Sequence, residues 1–130
     1  LLVNQALECS ACRNELLRFL NNTDTSTVAI GILYPTILGV LQEYEFTKSI
    51  RENLTNPFRL YYLEPDRNGT YPRYTFSPEL SYPALLFHER GKAPILYSSD
   101  EIFDDTPGLF DFRIEFLEFS DQFFDRMPKR

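Results

Sequence analysis

Thr27-Val28-Ala29-Ile30-Gly31-Ile32-Leu33-Tyr34, followed by Pro35-Thr36, is the stretch on which the fold of this chain turns. It is a continuous aliphatic and β-branched run without a charge, the pattern of a strand covered on both faces. Pro35 brings no backbone donor and closes the run. Thr36 is placed to cap a following helix, expected from Ile37 to about Leu54 with Val40, Leu41 and Tyr44 on one side.

Upstream, Leu2, Ala6, Cys9, Cys12, Leu16 and Leu20 recur at spacings of three and four, which predicts a first helix with one apolar stripe. Downstream, Pro57 opens a second strand, Phe58 to Leu63. Glu64 to Ser81, rich in Pro, Gly and Tyr, reads as a long insertion with at most a helical turn near Ser77 to Leu80. Pro83 to Glu89 and Pro94 to Ser98 read as two strands around the turn Arg90-Gly91-Lys92. Leu109, Phe112, Phe116, Phe119, Phe123 and Met127 repeat at helical spacing and predict a closing helix. The first two strands, joined by a helix, should be parallel with a right-handed crossover, and the last two antiparallel. The expected architecture is α/β: a mixed four-stranded sheet flanked by helices, in a single domain over residues 1–130.

Bulk properties narrow the function. The chain has 130 residues, 43% of them hydrophobic, with 12 Phe and 8 Tyr, which excludes a disordered tail. Its net charge of −6 comes with no basic face, so a nucleic-acid partner is set aside. The longest apolar stretch, Val28 to Leu41, is broken by Pro35 and two glycines and falls short of the roughly 20 residues of a membrane span. A start at Leu1 rather than Met leads to the expectation of a segment cut from a longer protein. Three Asn-x-Thr sequons, at Asn21, Asn53 and Asn68, fall at expected element edges and point to the secretory pathway, the endoplasmic reticulum lumen or the cell exterior.

Three local features resemble the thioredoxin-like superfamily. Ser81-Tyr82-Pro83-Ala84-Leu85-Leu86-Phe87 resembles the segment in which a cis proline, here Pro83, opens the third core strand. Phe87-His88-Glu89-Arg90-Gly91-Lys92 resembles the hairpin that follows it. Leu16-Leu17-Arg18-Phe19-Leu20-Asn21-Asn22 leading into Val28-Ala29-Ile30-Gly31 resembles the entry to a redox-inactive domain of the protein disulfide isomerase family. The resemblance implies that a catalytic dithiol would follow the central strand, at a helix N-terminus that lowers the thiol pKa. With Thr27–Tyr34 as that strand, the position reads Tyr34-Pro35-Thr36-Ile37 and holds no cysteine. The expected function is therefore non-catalytic: a binding or scaffolding module for polypeptide or neighbouring domains, without cofactor.

Cys9-Ser10-Ala11-Cys12 supports a rival. Both thiols can sit on the buried stripe of the first helix or close a short-range disulfide of small stabilising effect. Alternatively they form a displaced redox motif with Leu1 to Leu7 as its preceding strand, which Asn4 and Gln5 interrupt and which adds one strand to the order. The chain would then be a luminal thiol–disulfide oxidoreductase. A third reading is an architectural or oligomerisation domain whose Phe119, Phe123 and Phe124 pack on another subunit.

The remaining candidates are weaker. Two cysteines and His88 are too few for a Cys₄ or Cys₂His₂ zinc site, and nothing local makes His88 a catalytic base. Asp100, Glu101, Asp104 and Asp105 lack the spacing of a calcium loop and suit a helix start. Tyr34, Pro35, Tyr82 and Pro83 are expected to meet as an aromatic peptide- or partner-binding surface, or merely to cap the sheet end. Tyr61-Tyr62, Tyr71 and Tyr74 could extend that surface or pack the long loop.

Overall fold

The computed structural model describes residues 1, 3, 10–35, 40–68, 80–104 and 111–128. Its elements are α1 (Ser10–Asn21), β1 (Ile30–Pro35), α2 (Val40–Asn53), β2 (Phe58–Leu63), β3 (Leu85–Phe87), β4 (Ile95–Tyr97), α3 (Ser99–Ile102) and α4 (Ile114–Arg126). The fold is mixed α/β. β1 and β2 pair in parallel, from Ile30 opposite Phe58 to Pro35 opposite Leu63. β3 and β4 pair antiparallel, Leu85 opposite Tyr97 and Phe87 opposite Ile95.

The expected four-stranded sheet is corrected: the described strands form two sheets of two strands each. The reason lies at the edge of β1 that faces away from β2. The Leu33 amide donates to Leu1 O at 2.7 Å, the Val3 amide donates to Leu33 O at 2.9 Å, and the Leu1 nitrogen donates to Gly31 O at 2.7 Å. This alternation is that of a parallel ladder, so Leu1 and Val3 fill the edge of β1 that a further strand of that sheet would need. It also corrects the first helix. The three-and-four spacing from Leu2 predicted helix throughout, but Val3 commits its amide to β1, while α1 spans Ser10–Asn21. Leu2, residues 4–9 and Ile37 lie outside the described residues, as do Ser77, Asp105 and the start of the predicted closing helix.

β1 alternates as its composition dictates. Ile30, Ile32 and Tyr34 are buried on one face, while Gly31 and Leu33 are half-buried on the other. Against the first face pack Leu16, Leu17 and Leu20 of α1, Phe46 and Ile50 of α2, and Phe116 and Phe123 of α4. Burying each such side chain contributes about 1.5–3 kcal/mol. β3 joins this core through Leu85 and Phe87, and the Phe87 ring meets those of Tyr97, Phe116, Phe119, Phe123 and Phe124 at centroid separations of 5.0–6.2 Å. The aromatic stripe of the closing helix is thus interior packing. The β3–β4 turn is made possible by Gly91, whose φ of +81° suits a residue without a Cβ. Among the described residues no helix is long and apolar enough to cross a membrane.

One polar joint fixes α1 to the connection ahead of β2. Asn56 Nδ2 lies within hydrogen-bond distance of the carbonyls of Leu20 (2.8 Å), Thr23 (2.9 Å) and Asn21 (3.1 Å), which satisfies the open end of α1. Asn21 Oδ1 accepts from the amide and hydroxyl of Thr55 at 2.7 and 3.1 Å, and its Nδ2 donates to Asn53 O at 2.8 Å. Asn56→Ala should destabilise the fold by about 1–3 kcal/mol, because carbonyls are left without a partner. Asn56→Asp should be at least as damaging, since it sets an acceptor against acceptors. Urea denaturation of the three proteins checks the order.

Candidate thiol site at the end of the parallel strands

Three contacts define which groups share one end of the sheet. First, Asn56 ties the last turn of α1 to the residues just ahead of β2, so α1 ends beside the strand starts. At 12 residues α1 is about 18 Å long, close to the roughly 20 Å of the six-residue β1. Its first turn therefore lies at the finishing end of β1 and β2, near Pro35 and Leu63. Second, Phe87, Glu89 and Arg90, which finish β3 and lead out of it, line a groove of about 620 Å³ with Thr27, Val28 and Leu20. β3 thus ends where β1 starts. Third, Tyr82 and Ala84, ahead of β3, pack with Leu33 and Leu63. The first turn of α1 and the segment before β3 thus both lie toward the end of the sheet where β1 and β2 finish.

Cys12 sits in that first turn, buried and disulfide-bonded. The chain's other cysteine is Cys9, directly ahead of α1 in sequence and outside the described residues. The N-terminal end of a helix favours a thiolate over a thiol, through the partial positive charge of its unpaired amides.

The Tyr82–Pro83 peptide is cis, and the segment around it is held by the head of α3. Ser81 Oγ donates to Asp100 Oδ1 at 2.6 Å and accepts from the Asp100 amide at 3.1 Å. The Ser99 amide donates to Ser81 O at 3.1 Å, and the Ser99 hydroxyl donates to Pro83 O. Ser98 donates its hydroxyl to Asp100 Oδ1 and its amide to Glu101 Oε1. The serine hydroxyls of Ser81 and Ser98 hold the Asp100 carboxyl below the usual carboxylate range. Sequence reasoning set Asp100 and Glu101 ahead of the closing helix; they stand instead in α3, a short helix it did not anticipate, and it missed what they hold. The signal available was Ser98-Ser99-Asp100-Glu101, a serine with a glutamate three residues later.

The expected aromatic surface is corrected by burial. Tyr34 is 5% exposed and Tyr82 2%, and the Pro35 and Pro83 side chains are fully buried. Their apolar bodies are worth more inside the sheet end than on it. The Tyr34 ring packs at a tilt against those of Phe46 and Tyr62, and its hydroxyl donates to Glu43 Oε1 at 3.1 Å. Burial, and then the bond to Glu43, pushes the Tyr34 phenol up to about 12. The folded chain therefore keeps a proton that the unfolded chain loses near pH 10. Stability should be undiminished by this group below pH 10 and should fall as pH rises from about 10 to 12. Tyr34→Phe should flatten that part of the profile, read by urea midpoints at successive pH values.

The other candidates stand apart. Leu41, Tyr44, Tyr61 and Tyr62 are exposed on α2 and β2, while Tyr71 and Tyr74 lie outside the described residues. His88 is exposed just past β3, beside the groove. Asp104 pairs its backbone with Asp111. Asn53 and Asn68 are exposed, whereas a glycan on Asn21 would displace its bond to Asn53 O. Among the described residues no group of three or more His, Cys, Asp and Glu converges as a metal site would require. No protein-family model, curated protein or solved structure matches this chain.

Proposed function

We propose that this chain is a thioredoxin-like thiol–disulfide exchange module whose reactive pair is Cys9 and Cys12. The observation that carries this reading is the parallel pairing of Leu1 and Val3 with Leu33. It lays Leu1 and Val3 alongside β1 as a neighbouring strand would lie, which supports reading the strand–cysteine–helix order of a redox thioredoxin onto Cys9 and α1 rather than onto Pro35 and α2. The cysteine-free Tyr34–Ile37 position then belongs to the next strand along, and its lack of thiols no longer argues against catalysis. The non-catalytic reading relied on that position and on an exposed aromatic surface that burial removes.

In the exchange, the Cys9 thiolate attacks one sulfur of a substrate disulfide, forming a mixed disulfide and releasing one substrate thiolate. The Cys12 thiolate then attacks Cys9 sulfur, which releases the second substrate thiolate and closes the protein disulfide. Run in reverse, the disulfide form oxidises a substrate dithiol. Cys12 is buried, which suits the resolving role and leaves Cys9 as the attacking group. The substrate class is polypeptide disulfides, and an oxidising compartment of the secretory pathway fits both the pair and the exposed sequons at Asn53 and Asn68. The test is insulin reduction by the dithiothreitol-treated protein, compared with Cys9→Ser. Turnover that depends on Cys9 supports the reading; no turnover by the unaltered protein returns the chain to the binding and architectural readings.

A further inference from the structure

We infer that the folded protein carries N-linked glycans on Asn53 and Asn68 and none on Asn21, whose side chain is spent on a joint that a glycan would open. The inference uses the secretory compartment of the reading above and not its sulfur chemistry. In the modification, asparagine Nδ2 bonds to the anomeric carbon of a lipid-pyrophosphate-linked oligosaccharide. The bond from that carbon to phosphate breaks, the lipid pyrophosphate leaves, and one amide proton passes to a base of the transferase.

The sequons differ in what their asparagine side chains already hold. Asn21 is half-buried at the end of α1 and uses both ends of its amide. Its Oδ1 accepts from the Thr55 amide at 2.7 Å, the Thr55 hydroxyl at 3.1 Å and the Asn56 amide at 3.5 Å, while its Nδ2 donates to Asn53 O at 2.8 Å. These bonds all reach one strip of chain, residues 53–56, so the hydrogen engaged is the one beside Oδ1. A glycosylated asparagine is a secondary amide, and the trans form of such an amide sets the sugar carbon on that same side, next to the oxygen. The sugar would therefore stand where residues 53–56 now pack against the end of α1. Asn53 is exposed at the end of α2, and its side chain makes one hydrogen bond among the described residues, from Nδ2 to Ser49 O at 2.7 Å. That bond needs only one of the two amide protons and points back along α2, away from the joint. Asn68 is exposed beyond β2; its backbone amide donates to Asp66 Oδ1 at 2.9 Å, and its side chain bonds to nothing among the described residues. A bulky, solvated glycan on either leaves the joint closed.

The experiment expresses the full chain behind a secretion signal in cultured animal cells and reads each sequon by peptide mass spectrometry, after enzymatic glycan release in heavy-oxygen water. Asn53 and Asn68 should be mostly occupied and Asn21 occupied on the order of a tenth or less. Asn56→Ala, which slackens the joint without touching any sequon, should raise Asn21 occupancy by about threefold or more. Asn53→Gln, which removes the neighbouring glycan but keeps the backbone carbonyl that Asn21 binds, should leave Asn21 unmodified. Asn21 occupied as fully as Asn53 in the unaltered chain, or Asn53 or Asn68 left bare, overturns the inference. So does an Asn21 that fills in Asn53→Gln, since crowding by the neighbouring glycan and not the joint would then be the cause. An Asn21 that stays equally empty in Asn56→Ala assigns the result to the sequon itself and overturns the role of the joint. If Asn56→Ala is retained in the cell, its occupancy is read from the cell extract. Secretion is imposed by the experiment, so none of these outcomes bears on the exchange reading, which insulin reduction tests separately.

Discussion

On the proposed exchange reading, Cys12→Ser should stop insulin reduction almost completely, with turnover falling by roughly a hundredfold or more, because the second exchange step would lose its thiolate. The same variant should do something a merely structural cysteine would not. Treated with a polypeptide disulfide it should accumulate a covalent adduct through Cys9, visible on a non-reducing gel and released by dithiothreitol. Cys9→Ser should lose turnover equally and form no adduct, since Cys12 is buried in the first turn of α1. The asymmetry between the two variants is the informative result. Loss of stability in both, without any activity in the unaltered protein, would assign the pair a structural role.

Phe87→Ala carries the largest expected effect on folding, a loss of about 3–5 kcal/mol. Phe87 is 6% exposed and meets five other rings, one from β4 and four from α4. It is the residue through which the second sheet and the last helix share one core, so truncation leaves a cavity that neither element can close alone. That loss is a large part of the 5–15 kcal/mol typical of a whole domain. The urea midpoint should drop sharply, and Phe87→Leu should recover much of the loss by refilling volume. An Ile114→Ala control should stay within about 0.5 kcal/mol, since Ile114 is exposed on the same helix at 69%.

Much of the element pattern could be read from single residues. The uncharged run ending at Pro35 does form β1, the Pro57 boundary does precede β2 at Phe58–Leu63, and the Gly91 turn does join β3 to β4. Local stereochemistry dictates these features, so they survive translation from sequence to structure. The candidate site was less readable. Periodicity assigned the start of the chain to a helix because Leu2, Ala6 and Cys9 fit one stripe, yet Val3 pairs with Leu33, thirty residues away. Spacing reports which side chains could share a face; it does not report which backbone amides find a distant partner.

By itself, then, the sequence determined the helix and strand propensities, the turn at Gly91, the apolar stripe of α4 and the presence of one Cys-x-x-Cys. Only the tertiary structure decided what borders β1 on each side, that Tyr34 and Tyr82 face inward, and that Ser81 and Asp100 meet across nineteen residues. The physical reason is the range of the interactions. Propensity and capping act within a turn of the chain, whereas an edge of β1 is filled by whichever strand best satisfies its hydrogen bonds and buries its apolar face. The significance of Cys9 and Cys12 depends on that choice.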